Sequence, residues 1–313
     1  VQITAVVLDF VDAAVGPSRI HDVGLRGLAW KEHANACETV GDLPAALEAA
    51  EHAAEIYGTE PTLVSEKARA RLVMCMVLRE MGESERALQL ARECIDVLVD
   101  HGDFSAANMA RMHEACVLFT TRQYSEAFEL FLSVMAKAEL DGERETVARC
   151  LHSGAECARE LGDLESARDL YPRALAIYEE LKIVGPAIGI RWGYALTLAA
   201  EGKISTATFE LYRVREAFLE IGMNSRAATA SLDIVRIRFD AGEDVRGLCA
   251  ELVTTFTRAG MTQDAIEALA YLREQASRDK LTTTKIVRVR TYFVELANKP
   301  TLLFAHPSNE EEG

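Results

Sequence analysis

Basic residues are scarce: Lys and Arg number 34 against 49 Asp and Glu, leaving a net charge of −15 over 313 residues. Phosphate contacts require a basic surface, so this balance argues against nucleic acid as a partner, and equally against docking on an anionic membrane. No window approaches 18 uncharged apolar residues, and no membrane span is expected. The seven cysteines include no C-x-x-C pair, which fits reduced thiols in a cytoplasmic protein better than a disulfide framework. Val1-Gln2-Ile3-Thr4 offers neither an initiator Met nor a basic n-region, so no signal peptide is expected and the chain reads as a piece of something longer. A G-x-S-x-G turn and the common phosphate-cradling glycine loops are also missing; the expectation is no enzyme and no cofactor.

Against these absences stands a repeat. Gly41, Gly82, Gly162, Gly202 and Gly242 mark turns, with Arg122 in the matching place before Gln123-Tyr124, at steps of 41, 40, 40, 40 and 40 residues. Five residues after the turn come Ala46, Ala87, Ala127, Ala167, Ala207 and Gly247; seven before it come Ala34, Cys75, Ala115, Ala155, Ala195 and Val235. Small residues at these offsets fit two antiparallel helices that cross closely. Glycine supplies the positive φ that ends a helix, and the acid that follows suits the next N-terminus (Asp42, Glu83, Asp163, Glu243). Apolar spacings of three and four residues on both sides indicate helices, and each hairpin can bury its apolar face only against its neighbours.

Gly41-Asp42-Leu43 with Ala46, Gly162-Asp163-Leu164 with Ala167 and Tyr171, and Trp30 eleven before Gly41 resemble the tetratricopeptide repeat. The resemblance covers about residues 18–260 and implies an all-α, right-handed superhelical solenoid of antiparallel helix hairpins. It departs from the family in period, 40 instead of 34. The long-period variant resembles arrays of bacterial signalling and transcription regulators, as does the stretch from Arg215 to Pro300-Thr301-Leu302-Leu303-Phe304. Members of that group often carry a helix-turn-helix or zinc-binding module ahead of the array, and none is present in this chain.

The expected organisation is therefore a second helix of a truncated repeat over 1–17, six repeats over 18–260, capping helices over 261–298 and a partly disordered tail over 299–313. A short strand over 1–10 is the competing reading of the β-branched opening. Leu302, Leu303 and Phe304 are expected to fold back onto the cap.

Family geometry places residues three, six, ten and thirteen before each turn on the inner groove. The resemblance thus nominates Arg69, Leu72, Met76, Arg79, Met112, Cys116, Phe119, His152, Arg159, Trp192, Leu196 and Arg236 as partner contacts. Apolar, aromatic and Met side chains studded with Arg are the types enriched at binding hot spots. The expected partner is a protein or peptide segment with apolar anchors and an acidic group, lying between the second and fifth repeats. Some of these side chains could instead turn into the core, because the helices are long. Lys31 and Asn35 resemble the opening pair of a carboxylate clamp, but Val73, Met109 and His113 stand where the clamp needs Asn and basic residues, so it is not carried over. His113 with Cys116, and Cys150, His152 and Cys157, have helical spacings that could hold zinc. Cys75 and Cys94 nevertheless sit where other repeats use Ala, so cysteine reads as a small apolar residue and no metal is expected. Two alternatives remain open: a peptide sensor that switches curvature on binding, and a structural or oligomerisation module without a ligand.

Overall fold

The computed structural model describes residues 22–299 and 301–305. The opening stretch, whether helix or strand, and the end of the tail lie outside them. Among the described residues there are helices and turns and no strand. The chain divides into two compact units, Val1–Asp163 and Leu164–Gly313.

The first unit contains α1 (Val23–Thr39), α2 (Leu43–Gly58), α3 (Val64–Glu80), α4 (Ser84–Asp100), α5 (Phe104–Thr120), α6 (Tyr124–Asp141) and α7 (Arg144–Glu160). Each helix packs against the next in sequence. The small residues of the repeat register supply the close contacts: Ala34, Cys75, Ala115 and Ala155, and Ala46, Ala87 and Ala127, are all fully or almost fully buried. One further close approach depends on glycine. The ring of Tyr57 lies 2.6 Å from where a Cβ on Gly27 would stand, so α1 and α2 could not keep this spacing with alanine there.

One turn chemistry recurs along the chain. Gly41, Gly82, Arg122, Gly162, Gly202 and Gly242 all have positive φ. So do Gly102, Gly142, Lys182, Gly222 and Gly260, which close the second helix of every pair after the first. At these positions the next backbone N–H bonds the carbonyl five residues earlier, as in Asp42 to Cys37 and Asp103 to Leu98 (3.0 and 2.9 Å). That is the Schellman closure, which satisfies carbonyls a helix end would otherwise orphan. Asp22, Asp42 and Asp103 then cap the following helices by accepting from backbone N–H groups.

The second unit contains α8 (Leu164–Glu180), α9 (Val184–Ala200), α10 (Ile204–Glu220), α11 (Asn224–Asp240), α12 (Arg246–Arg258), α13 (Gln263–Ser277) and α14 (Thr283–Asn298). Its register slips after Gly242. Helix α12 begins only at Arg246, so Gly247, expected at a packing offset, is exposed, and Cys249, Leu252 and Phe256 form the buried face instead. The cause is a turn lengthened to Glu243-Asp244-Val245, in which Val245 itself is buried.

The last helix does not simply continue the stack. α14 packs chiefly on α11, placing Ile286, Val289 and Phe293 in one core with Ala228, Leu232 and Val235. Leu302 and Phe304 return to the same core, with Phe304 against the rings of Tyr271 and Tyr292 (6.1 and 5.2 Å between centroids). Leu303, expected to join them, is exposed. Among the described residues no helix is long and apolar enough to cross a membrane.

Candidate peptide-binding surface

In the first unit the residues three and six before each turn form a half-buried row: Met76 and Arg79 on α3, Cys116 and Phe119 on α5, Glu156 and Arg159 on α7. Side chains one helical turn apart fall on one face, so this row is continuous along each helix. Phe119 is held edge-on by Tyr124 at 5.4 Å. Ten residues before the turn the pattern changes. Leu72 and Met112, nominated as groove contacts, are only 4% and 2% exposed. Leu72 fills a core with Cys94, Leu98, Ala107 and Ala110; Met112 fills one with Phe131, Val134 and Cys150. A helix of five turns carries these positions beneath the next hairpin, so they are packing residues and not surface anchors.

The arginines of this row, and Arg69 earlier on α3, do not stand alone. Arg69 bonds Asp103 at 2.8 Å and approaches Glu66 at 3.6 Å; Arg79 approaches Glu80 at 3.5 Å; Arg159 reaches Glu156 and Glu160 at 2.8 and 2.6 Å. His152 lies 3.9 Å from Glu156, and burial lowers its pKa. The Glu38 carboxyl is raised, first by burial and then by neighbouring Glu80. The surface is thus an apolar row flanked by local ion pairs, where the nomination pictured bare guanidinium groups. Glu156 is one of the inner-groove positions expected from the sequence, six before Gly162; Glu66, Glu80, Asp103 and Glu160 were not, although the three-residue spacing of Glu66–Arg69 was readable.

Titratable groups in and beneath the row are held neutral. His113 is buried, and desolvation, followed by the charges of Arg149 and Arg79, pushes its pKa down to about 4. Burial raises Cys116, an effect that Arg79 partly offsets. Cys75, Cys150 and Cys157 are pushed up to about 12 by burial, so these thiols pack as small apolar groups. Among the described residues no group of three or more His, Cys, Asp or Glu converges on a position fit for a metal ion.

The nominated residues of the second unit are engaged differently. The Trp192 indole donates to the Asp233 carboxylate at 3.0 Å and packs edge-on against Phe218. Asp233, only 1% exposed, also accepts from Arg290 of α14 at 2.7 and 3.2 Å, and Arg236 lies 3.7 Å away. Leu196 packs with Ala195, Leu211, Ile234 and Ile237. On α11 the expected groove positions Thr229 and Leu232 are buried. Trp192 therefore cannot be truncated without disturbing the fold, contrary to what its distance from the tight-packing offsets implies; its partners Phe218 and Asp233 lie 26 and 41 residues ahead in sequence.

These features define a class: an all-α helical repeat scaffold of tetratricopeptide type. Residues 147–181 match the family model described as tetratricopeptide repeat. No curated protein sequence matches the chain. Solved structures do. A Rap protein complexed with Competence and Sporulation Factor superposes with a TM-score of 0.62 at 15% identity, covering 94% of this chain and 82% of its own. Aspartyl phosphate phosphatase F from Bacillus subtilis gives 0.58 at 16%, covering 92% and 76%. A signal-transduction ATPase with a tetratricopeptide repeat sensor, from Pyrococcus horikoshii, gives 0.66 at 16% over 88% of this chain and 42% of the other. At these identities the likeness is one of fold.

Proposed function

We propose that the chain is a non-catalytic protein- or peptide-binding module, the sensory or interaction part of a cytoplasmic bacterial regulator. Its partner segment lies on the half-buried row of α3, α5 and α7. The observation that carries this reading is the row itself: Met76, Cys116 and Phe119 remain half-buried and accessible while their neighbours are fully packed. An apolar anchor seated there contributes about 1.5–3 kcal/mol. An acidic group on the partner exchanges with the local carboxylates for Arg79 or Arg159, which favours specificity and register over raw affinity. The likeness in fold to a Rap protein complexed with Competence and Sporulation Factor supports a scaffold that holds a partner.

The test is capture of partners from a bacterial cytoplasm by the wild type and by Met76→Ala/Arg79→Ala, with circular dichroism to confirm that the variant is folded. Loss of specific partners in the folded variant supports the reading. Identical partner sets move the binding surface elsewhere, and an absence of specific partners for both leaves a ligand-free structural module.

A further inference from the structure

A second surface stands out in the other unit. A groove of about 700 Å³ is built by α8 and α10 with the opening half of α9 between them. Val184, Phe209 and Ile221 line it and are 61%, 62% and 45% exposed. Single exposed apolar residues need no explanation, but a cluster around a recess marks a contact surface.

The repeat gives this cluster an internal control. Seven residues after the turn the chain carries Glu48, Gln89, Glu129 and Asp169, then Phe209. Nineteen after it the residues are Glu60, His101 and Asp141, then Leu181 and Ile221. Equivalent positions are polar in the earlier repeats and become exposed apolar residues at and beside this groove; in the last repeat, where the register has slipped, Cys249 and Met261 are apolar too but pack on the core. The scaffold therefore does not require these residues here.

The charges on the rim indicate what the groove fits. Lys182, Arg191 and Arg213 are matched by Glu179, Glu216 and Glu220, equal numbers in a chain of net charge −15. Arg191 pairs with Glu179 at 2.6 Å, whereas among the described residues Lys182 and Glu220 make no side-chain ion pair. A face matched to a strongly charged partner would carry an excess of one sign. A locally neutral rim around an apolar centre suits a surface that must complement itself, and it lets two acidic chains approach without the repulsion they meet elsewhere.

We propose that this groove is the interface with a second copy of the chain. The contact is two-fold: each Phe209 enters the other copy's groove, and Lys182 of one copy pairs with Glu220 of its partner. The site is separate from the row on α3, α5 and α7, so either proposal can fail without the other.

Sedimentation velocity over a wide concentration range tests it. The wild type is expected to sediment as a dimer. Phe209→Glu, which installs the residue found at this position in the first and third repeats, is expected to give a monomer with unchanged helicity and melting. Lys182→Glu should weaken the dimer, and adding Glu220→Lys should restore it. A wild type that is monomeric throughout, a dimer that persists in Phe209→Glu, or a charge swap without rescue would each overturn the proposal.

Discussion

Removal of Arg290, and of its partner Asp233, is the most informative perturbation of the second unit. The Asp233 carboxylate is 1% exposed and receives three hydrogen bonds, one from Trp192 and two from Arg290. Arg290→Met leaves that carboxylate buried with only the indole and a guanidinium 3.7 Å away. Breaking a buried pair from one side costs about 3–5 kcal/mol, because the remaining charge loses its compensation. Asp233→Ala should fall at the lower end: the Arg290 side chain is 29% exposed and can turn to water, but the Trp192 N–H loses its acceptor. At roughly 2–4 °C per kcal/mol for a unit of this size, either change lowers the melting temperature by about 6–20 °C. The pair also ties α14 to α11, so amide exchange over 283–298 should accelerate before the rest of the unit opens. Asp233→Leu/Arg290→Met removes both charges and should cost less than either single change. The reasoning is refuted if both singles lie within about 0.5 kcal/mol of wild type, or if the double variant costs their sum.

Three further outcomes are expected. His113 has a folded pKa of about 4 against an ordinary 6.5, so the unfolded chain binds its proton first as pH falls. Its contribution is therefore complete above about pH 6.5 and is lost progressively towards pH 4, by up to about 3 kcal/mol; melting of wild type and His113→Gln across that window measures the difference. Ala115→Leu should overpack the core it shares with Ala127 and Phe131 and cost about 1–3 kcal/mol by urea titration. Arg122→Gly should raise the melting temperature slightly, by about 0.5–1 kcal/mol in stability, because Arg122 holds φ at 62° where its sister positions use glycine.

Much of the fold was legible because its determinants are local. A small residue at a fixed distance from a turn can serve only one purpose in a helical hairpin, and Ala115 and Ala127 are buried for that reason. The second turn series, Gly102, Gly142 and Gly222, was equally regular but went unread beside the first. The candidate surface was less legible. Helical phase separates Met76 from Leu72 only if the position of the next hairpin is known, and the partners of Arg69 come partly from 34 residues away.

What the sequence determined alone is whatever repeats: helical phase, glycine at the turns, small residues at the crossings, and the acidic balance that argues against nucleic acid. Each is a property of one residue and its near neighbours. Tertiary structure decided the exceptions. It buried Leu72 and Met112, matched arginines with carboxylates from other elements, and brought α14 back over α11 so that Asp233, Arg290 and Trp192 meet. That meeting joins residues up to 98 positions apart, from 192 to 290, and no periodicity encodes it. A buried charge must be compensated from whatever is nearest in space, and only the folded chain establishes which groups those are.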